Sequence, residues 1–163
     1  MLTSVVRKLP MPTKIGCLLI FSVGVYFASR VTISKVAIYY YRIGGKLLED
    51  GKYVEAIPKF QTSIYWNPNF APSHNYLALS YYKAGQVESA IFEFKQTLNL
   101  SPSYLAAHYY LAQAYISASN VLEARKELQK VIQLDGEGAW GRYAQQSMES
   151  LNKNTVKQSH KNN

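Results

Sequence analysis

The sequence predicts an all-α protein made of three helical hairpins that follow an N-terminal membrane helix. Two observations support this prediction. Pro68 and Pro102 open two similar stretches of the 163-residue chain, and their spacing is typical of stacked helical repeats. Ahead of these stretches, residues 15–29 form a run of 15 residues without a charged side chain.

The uncharged run predicts a single membrane span. A helix needs about 20 residues to cross a bilayer, so we expect the span to cover residues 15–33, with Arg30 reaching the headgroups. Residues 1–14 are then a basic segment before the span. A cleaved signal peptide fits less well, because aromatic side chains stand where cleavage needs small ones. A removed targeting segment and an interfacial or buried helix stay open as alternatives.

Charge is concentrated at the two ends of the chain. The net charge is +8, yet residues 36–151 contain 10 Lys or Arg and 10 Asp or Glu. This distribution argues against nucleic-acid binding and favours a basic flank on an anionic membrane surface. Four basic residues follow the uncharged run closely and three precede it, which places the repeats on the cytoplasmic or stromal side.

A 34-residue frame divides the middle of the chain into units 37–70, 71–104 and 105–138. Large apolar residues recur at offsets of three and four, which marks one face of a helix. Glycines at the centre of the first two units suit a turn, and the prolines end the second helix. The twentieth positions are Ala56, Ala90 and Ala124, and the twenty-fourth are Phe60, Phe94 and Leu128. Each unit therefore predicts two helices that share a core with their neighbours.

The last unit departs from the pattern, since Ser119 replaces the glycine and Gly136 replaces the proline. Terminal repeats are often atypical. We expect residues 139–151 to form a capping helix, with Trp140 and Tyr143 covering the last apolar face. The remaining polar tail, residues 152–163, is predicted to be disordered.

Pro58 lies inside the second predicted helix of the first unit. Proline lacks the N–H that an interior helical position donates, and its ring crowds the preceding turn. We therefore expect this residue to bend the helix or to delay its start.

This arrangement resembles the tetratricopeptide repeat family, whose signature has small residues at positions eight and twenty, aromatic residues at eleven and twenty-four, and proline at thirty-two. The resemblance covers about 102 residues, 37–138. It implies that the hairpins and the cap stack in a right-handed superhelix. It also implies that the first helix of each unit lines a concave groove for protein partners.

No catalytic or metal site is indicated by the sequence. The only cysteine, Cys17, lies within the uncharged run. His74 and His108 occupy the same position of two units, and we interpret them as packing residues because no Asp, Glu or Cys accompanies both. The paired carboxylates are interpreted as solvated helix faces: Glu88 with Glu93, and Glu123 with Glu127. We therefore predict a non-enzyme without a cofactor, a metal or a small-molecule substrate.

The groove positions implied by the resemblance are aromatic and nearly neutral. Tyrosine combines a rigid ring with a polar tip, and it is enriched in protein interfaces. The candidate partner-binding residues are Tyr41, Arg42, Asn75, Tyr76, Tyr82, Tyr109, Tyr110 and Gln113.

Family members that bind the acidic C-terminus of the large cytosolic chaperones use a clamp of lysine, asparagine and arginine. The corresponding positions of this chain are Tyr41, Gly45, Tyr76, Ala106 and Tyr110. The clamp is therefore absent, and the predicted partner is another extended peptide or a subunit of a membrane complex.

The sequence as a whole predicts a non-enzymatic adaptor that holds a protein partner beside a membrane. Its layout of one anchor, three repeats and a short tail resembles small tetratricopeptide proteins that assist photosystem I assembly, which would imply a thylakoid membrane. The alternative is a structural protein whose repeats associate between copies into a membrane-bound oligomer.

Overall fold

The computed structural model describes the backbone of residues 34–161 and the side chains of residues 34–153. The predicted basic segment 1–14 and the predicted span 15–33 lie outside the described residues. Among the helices that the structure describes, none combines the length and the apolar character needed to cross a membrane.

The described chain is all-α, as predicted, and contains seven helices and no strand between residues 34 and 161. Helix α1 covers 34–49 within the described part. The others are α2 (Tyr53–Trp66), α3 (Ala71–Lys83), α4 (Val87–Leu100), α5 (Leu105–Ser117), α6 (Val121–Asp135) and α7 (Ala139–Lys161). Consecutive helices pack against each other in antiparallel pairs, so the three hairpins and α7 form one continuous stack.

Small residues at the helix crossings hold the core together. Ala56, Ala90 and Ala124 have no exposed surface, and neither do the larger Phe60 and Phe94. Such close-packed crossings leave no room for a bulkier side chain without moving a helix. The repeated frame inferred from the sequence is therefore the frame of the core.

The first hairpin needs glycine at the eighth position of its repeat, where the other hairpins have alanine. A Cβ atom built on Gly44 would lie 2.8 Å from the ring of Phe60, closer than carbon atoms pack. In the next two hairpins the same position is Ala78 or Ala112, each fully buried. The contact with Phe60 therefore explains why the first unit departs from alanine.

The helix containing Pro58 starts where its equivalents start. Helices α2, α4 and α6 begin at Tyr53, Val87 and Val121, which are evenly spaced along the chain, so the expected delay is wrong. Pro58 lacks the N–H that would bond to the carbonyl of Val54. Val54 is 68% exposed, so water can hydrogen-bond to that carbonyl on the outer face of the helix.

The C-terminal helix is longer than predicted. It continues to Lys161 instead of ending at residue 151, and residues 152–161 are helical rather than disordered. No glycine or proline occurs between residues 142 and 161, so the sequence offers no strong stop signal. Within α7, Trp140 packs against the core, whereas Tyr143 is 54% exposed.

We expect Ala90→Leu to lower the free energy of unfolding by about 1–3 kcal/mol, because the added carbons overpack the α3–α4 crossing. Urea denaturation followed by circular dichroism would measure this change. Glu88→Gln, on the exposed side of the same helix, is the control and should leave stability within about 0.5 kcal/mol. Equal effects of the two substitutions would contradict the packing explanation.

The turn inside each hairpin contains a residue with positive φ: Gly51 at 75°, Gly85 at 78° and Ser119 at 61°. A side chain in this region costs about 1–2 kcal/mol, partly offset by the greater freedom of glycine in the unfolded chain. We therefore expect Ser119→Gly to stabilise the domain by about 0.5–1 kcal/mol in urea denaturation.

The reciprocal substitution Gly85→Ser should destabilise the domain. No atom lies within 4 Å of a Cβ built on Gly85, so the backbone conformation alone causes the effect. A stabilising Gly85→Ser, or a destabilising Ser119→Gly, would contradict this account of the turns.

Candidate protein-binding groove

Two groups of aromatic rings lie on the first helices of the hairpins. Near the N-terminal end, the rings of Tyr41 and Tyr76 meet edge to face at 5.4 Å between centroids. Toward the other end, Tyr109 lies 5.4 Å from Tyr110 and 5.5 Å from Trp140. The four tyrosines are all half-buried, so each ring is held by packing and still presents part of its surface.

The phenol groups of this surface share one protonation state. Burial raises the pKa of Tyr104 and Tyr110, and the neighbouring phenol of Tyr76 raises both further. Burial also raises the pKa of Tyr41, with Tyr76 again contributing. These hydroxyl groups therefore stay protonated at neutral pH and can donate hydrogen bonds.

A cavity of about 1040 Å³ lies along α1. Three of the candidate partner-binding residues line it: Tyr41, Arg42 and Tyr76. Ile38, Gly45 and Glu49 line it as well. The cavity is open and mixed in polarity, which suits a chain segment better than a small enclosed ligand.

The other predicted groove residues have different surroundings. Arg42 is exposed. The Tyr82 hydroxyl lies 3.4 Å from Ser117 Oγ, and Gln113 Nε2 donates to Ser147 Oγ at 3.1 Å. Asn75 is only 4% exposed, and its Oδ1 has no hydrogen-bond partner among the described residues. The polar ends of Tyr82 and Gln113 thus connect neighbouring helices, whereas Arg42 faces solvent.

Two aromatic residues of this surface were missed by the sequence analysis. The ring of Phe70 lies 5.3 Å from Tyr41. Tyr104 packs against the core, and burial and the phenol of Tyr76 raise its pKa. Phe70 and Tyr104 occupy the same column of the repeat frame, the last position of the first two units. An aromatic residue repeated in that column was the signal available in the sequence.

Comparison with known families agrees with this architecture. The profile of the family described as tetratricopeptide repeat matches residues 81–145. Residues 81–145 are therefore a tetratricopeptide repeat region. No curated protein matches the sequence.

Several solved structures share the fold of this domain. The first repeat domain of Spaghetti (RPAP3), bound to the HSP90 peptide SRMEEVD, has a TM-score of 0.71 and 20% identity, over 76% of this chain and 95% of that chain. The OM64 domain from Arabidopsis has a TM-score of 0.68 and 12% identity, over 72% and 98%. The secretion translocator chaperone SycD from Yersinia enterocolitica has a TM-score of 0.72 and 15% identity, over 76% and 88%.

A histidine–glutamate pair recurs in two repeats of the domain. His74 Nδ1 lies 2.7 Å from Glu93 Oε2, and its Nε2 lies 2.9 Å from the carbonyl oxygen of Pro68. In the next repeat His108 Nδ1 lies 2.6 Å from Glu127 Oε2. Its Nε2 lies 2.8 Å from the carbonyl oxygen of Pro102. Each histidine thus links an inter-repeat turn to the second helix of its own hairpin.

The acceptors around each ring determine its protonation. A backbone carbonyl can only accept, and an ionised carboxylate can only accept, so both ring nitrogens must carry a proton. Burial lowers the pKa of His74, but its hydrogen bonds to Glu93 and Pro68 and the charge of Glu93 outweigh burial and raise it. The pKa of His108 is raised in the same way, although Lys130 opposes the shift.

This arrangement corrects two interpretations made from the sequence. Glu93 and Glu127 do not lie on solvated faces, because only 15% and 22% of their side-chain surfaces are exposed. Each accompanies a histidine at a separation of 19 residues. Distant residues meet here because the helices of a hairpin are antiparallel. Among the described residues, no group of three His, Cys, Asp or Glu is placed to hold a metal ion.

We expect the stability of the domain to fall as pH rises through the raised histidine pKa values. Each pair contributes fully below the ordinary pKa of 6.5, and its contribution is lost once the folded-state histidine deprotonates. Urea denaturation midpoints measured between pH 6 and pH 9 would show the decline.

The double variant His74→Gln, His108→Gln should lose stability at pH 6 and show a flatter dependence on pH. Each single variant should remove one of the two contributions. A double variant with the same pH dependence as the natural chain would contradict the assignment to these pairs.

Proposed function

We propose that this domain is a non-enzymatic adaptor that binds a protein segment in its aromatic groove while residues 15–33 hold it at a membrane. The row of half-buried tyrosines on the first helices is the observation that carries the binding half of the proposal. The uncharged run in the sequence carries the membrane half.

Packing prepares the aromatic row for binding. Tyr110 stacks on the buried Phe94 with an angle of 13° between ring planes, and Tyr76 lies 5.9 Å from the buried Phe60. Rings fixed in this way lose little conformational entropy when a partner arrives. They also provide both apolar surface and hydroxyl groups, the combination enriched at the centres of protein interfaces.

The charge of the groove indicates the chemistry of the partner. The repeat domain of Spaghetti (RPAP3) is bound to an acidic HSP90 peptide, SRMEEVD. The charged side chains that line the cavity are Lys35, Arg42, Lys46, Glu49 and Asp50, whose charges nearly cancel. We therefore propose a weakly charged partner segment with apolar or aromatic side chains, bound in an extended or helical form.

The membrane half of the proposal rests on residues 15–29 and on the basic residues that flank them. It places the repeats on the cytoplasmic or stromal side. The partner would then be a subunit of a membrane complex during assembly. The narrowest form of this proposal, photosystem I assembly at thylakoids, rests only on the layout of anchor, repeats and tail.

Co-purification would test the adaptor against its structural alternative. A tagged full-length chain would be isolated from detergent-solubilised membranes, and its companions would be identified and their stoichiometry measured. One membrane complex at constant stoichiometry supports the adaptor. Recovery of the chain alone as a multimer would support self-association and contradict the adaptor.

We expect the double variant Tyr76→Ala, Tyr109→Ala to reduce recovery of the partner by at least about tenfold. Truncating a central aromatic residue typically costs about 2 kcal/mol or more of binding free energy. The readout is the amount of co-purified partner per tagged chain.

Phe92→Ala is the matched control, because Phe92 is 58% exposed on the second helix of its hairpin. Circular dichroism melting of all variants would separate lost binding from lost folding. A folded double variant that recovers its partner at normal levels would exclude the groove as the binding surface.

A further inference from the structure

The edge of the superhelix that contains the inter-repeat turns carries almost no charge in the first two repeats. We call this the turn edge; it comprises the turns 67–70 and 101–104 and the helix ends beside them. Residues 60–75 and 96–110, which contain these turns and the adjoining helix ends, include no Asp, Glu, Lys or Arg. His74 is 9% exposed and His108 is 7% exposed, so both histidine pairs lie beneath the surface there.

The opposite edge, formed by the turns inside the hairpins, is charged at its first two turns. The charged residues beside these turns are Lys46, Glu49, Asp50, Lys52, Glu55, Lys83 and Glu88. Its third turn, residues 118–120, is uncharged. The two edges of the first two hairpins therefore differ in charge.

Large apolar side chains are exposed on the uncharged turn edge. Tyr65 is 79% exposed and Trp66 is 40% exposed, and their rings meet edge to face at 5.6 Å. Leu100, at the position equivalent to Trp66, is 38% exposed. In the third repeat Asp135 and Glu137 follow the equivalent leucine, so the uncharged surface ends after the second repeat.

The turn edge is also where the chain continues toward its N-terminus. The Ser63 hydroxyl donates a 2.7 Å hydrogen bond to the carbonyl of Ala37, which fixes the end of α2 beside the start of α1. Only five Cα steps separate residue 29, the end of the uncharged run, from residue 34. Such a connection spans at most about 18 Å.

We propose that the turn edge rests on the membrane surface, with Tyr65 and Trp66 at the boundary between lipid headgroups and acyl chains. This inference rests on the membrane half of the proposed function. The short connection brings the edge close to any span that ends near residue 29. Tryptophan and tyrosine are the side chains enriched at this boundary, and the absence of charge removes the cost of burying one there.

This orientation has a consequence for the groove. With the turn edge on the bilayer, the helices stand roughly upright and the groove opens sideways along the membrane surface. A partner segment close to the bilayer can then reach Tyr41 and Tyr76 without leaving the membrane.

Fluorescence quenching by lipid tests the orientation directly. The full-length chain would be reconstituted into phosphatidylcholine vesicles with bromine atoms near the headgroup end of the acyl chains. The chain has two tryptophans, Trp66 and Trp140. We expect the natural chain to lose part of its emission, up to the share of Trp66, whereas Trp66→Phe should lose almost none.

A matched control moves the indole to the other end of the same helix. Val54 is 68% exposed and lies in the first turn of α2, whereas Trp66 is the last residue of that helix. In the double variant Val54→Trp, Trp66→Phe the new indole should stay unquenched, because more than three helical turns hold it away from the turn edge. Equal quenching of indoles at residues 54 and 66 would overturn the orientation.

Flotation of the same vesicles separates this inference from the membrane proposal. A chain that floats with the vesicles but shows no quenching of Trp66 keeps its anchor and overturns the contact, leaving a protein as the occupant of the turn edge. A chain that does not float overturns both proposals.

Discussion

Close approach of helices at small residues is the constraint on which the rest of this structure depends. Ala56, Ala90 and Ala124 have no exposed surface, and a Cβ on Gly44 would collide with the ring of Phe60. With the helices this close, each hairpin fixes the position of the next, and the regular interval of the sequence becomes a spatial interval. The groove and the two edges follow from that repetition.

The groove shows how a packed core can also supply a binding surface. Its tyrosines are not simply attached to the outside, because Tyr110 stacks on Phe94 and Tyr41 contacts both Phe60 and Phe70. One side of each ring completes the core and the other side faces the groove. In the proposed function, binding and stability therefore share residues, and this limits how freely the groove can change its specificity.

The two histidine pairs also serve two purposes with the same side chains. Each histidine satisfies a backbone carbonyl of an inter-repeat turn and a buried carboxylate with one protonated ring. The histidine charge is thus neutralised close to the turn edge, where residues 60–75 and 96–110 contain no Asp, Glu, Lys or Arg. This uncharged edge beside the start of α1 is the surface that we propose to rest on the membrane.

Much of the fold follows from the sequence, because it depends on local periodicity. Apolar offsets of three and four specify helices, glycine at 51 and 85 specifies turns, and the regular spacing of the units specifies stacking. The same reasoning places Tyr41, Tyr76 and Tyr109 on first helices, since a residue's helix and face depend only on its position in the repeat.

The tertiary structure alone decided which distant side chains meet. The sequence of its own helix predicts that Glu93 is a surface residue. Its contact with His74, 19 residues away, exists only because two helices pack antiparallel at close range. In the same way, the exposure of Val54, whose carbonyl lacks the Pro58 N–H as a partner, was decided by the tertiary structure. The sequence determines the helix and the helix face of a residue, because both depend on residues close to it along the chain. The contacts and the exposure of its side chain depend on residues that only the folded structure brings close to it.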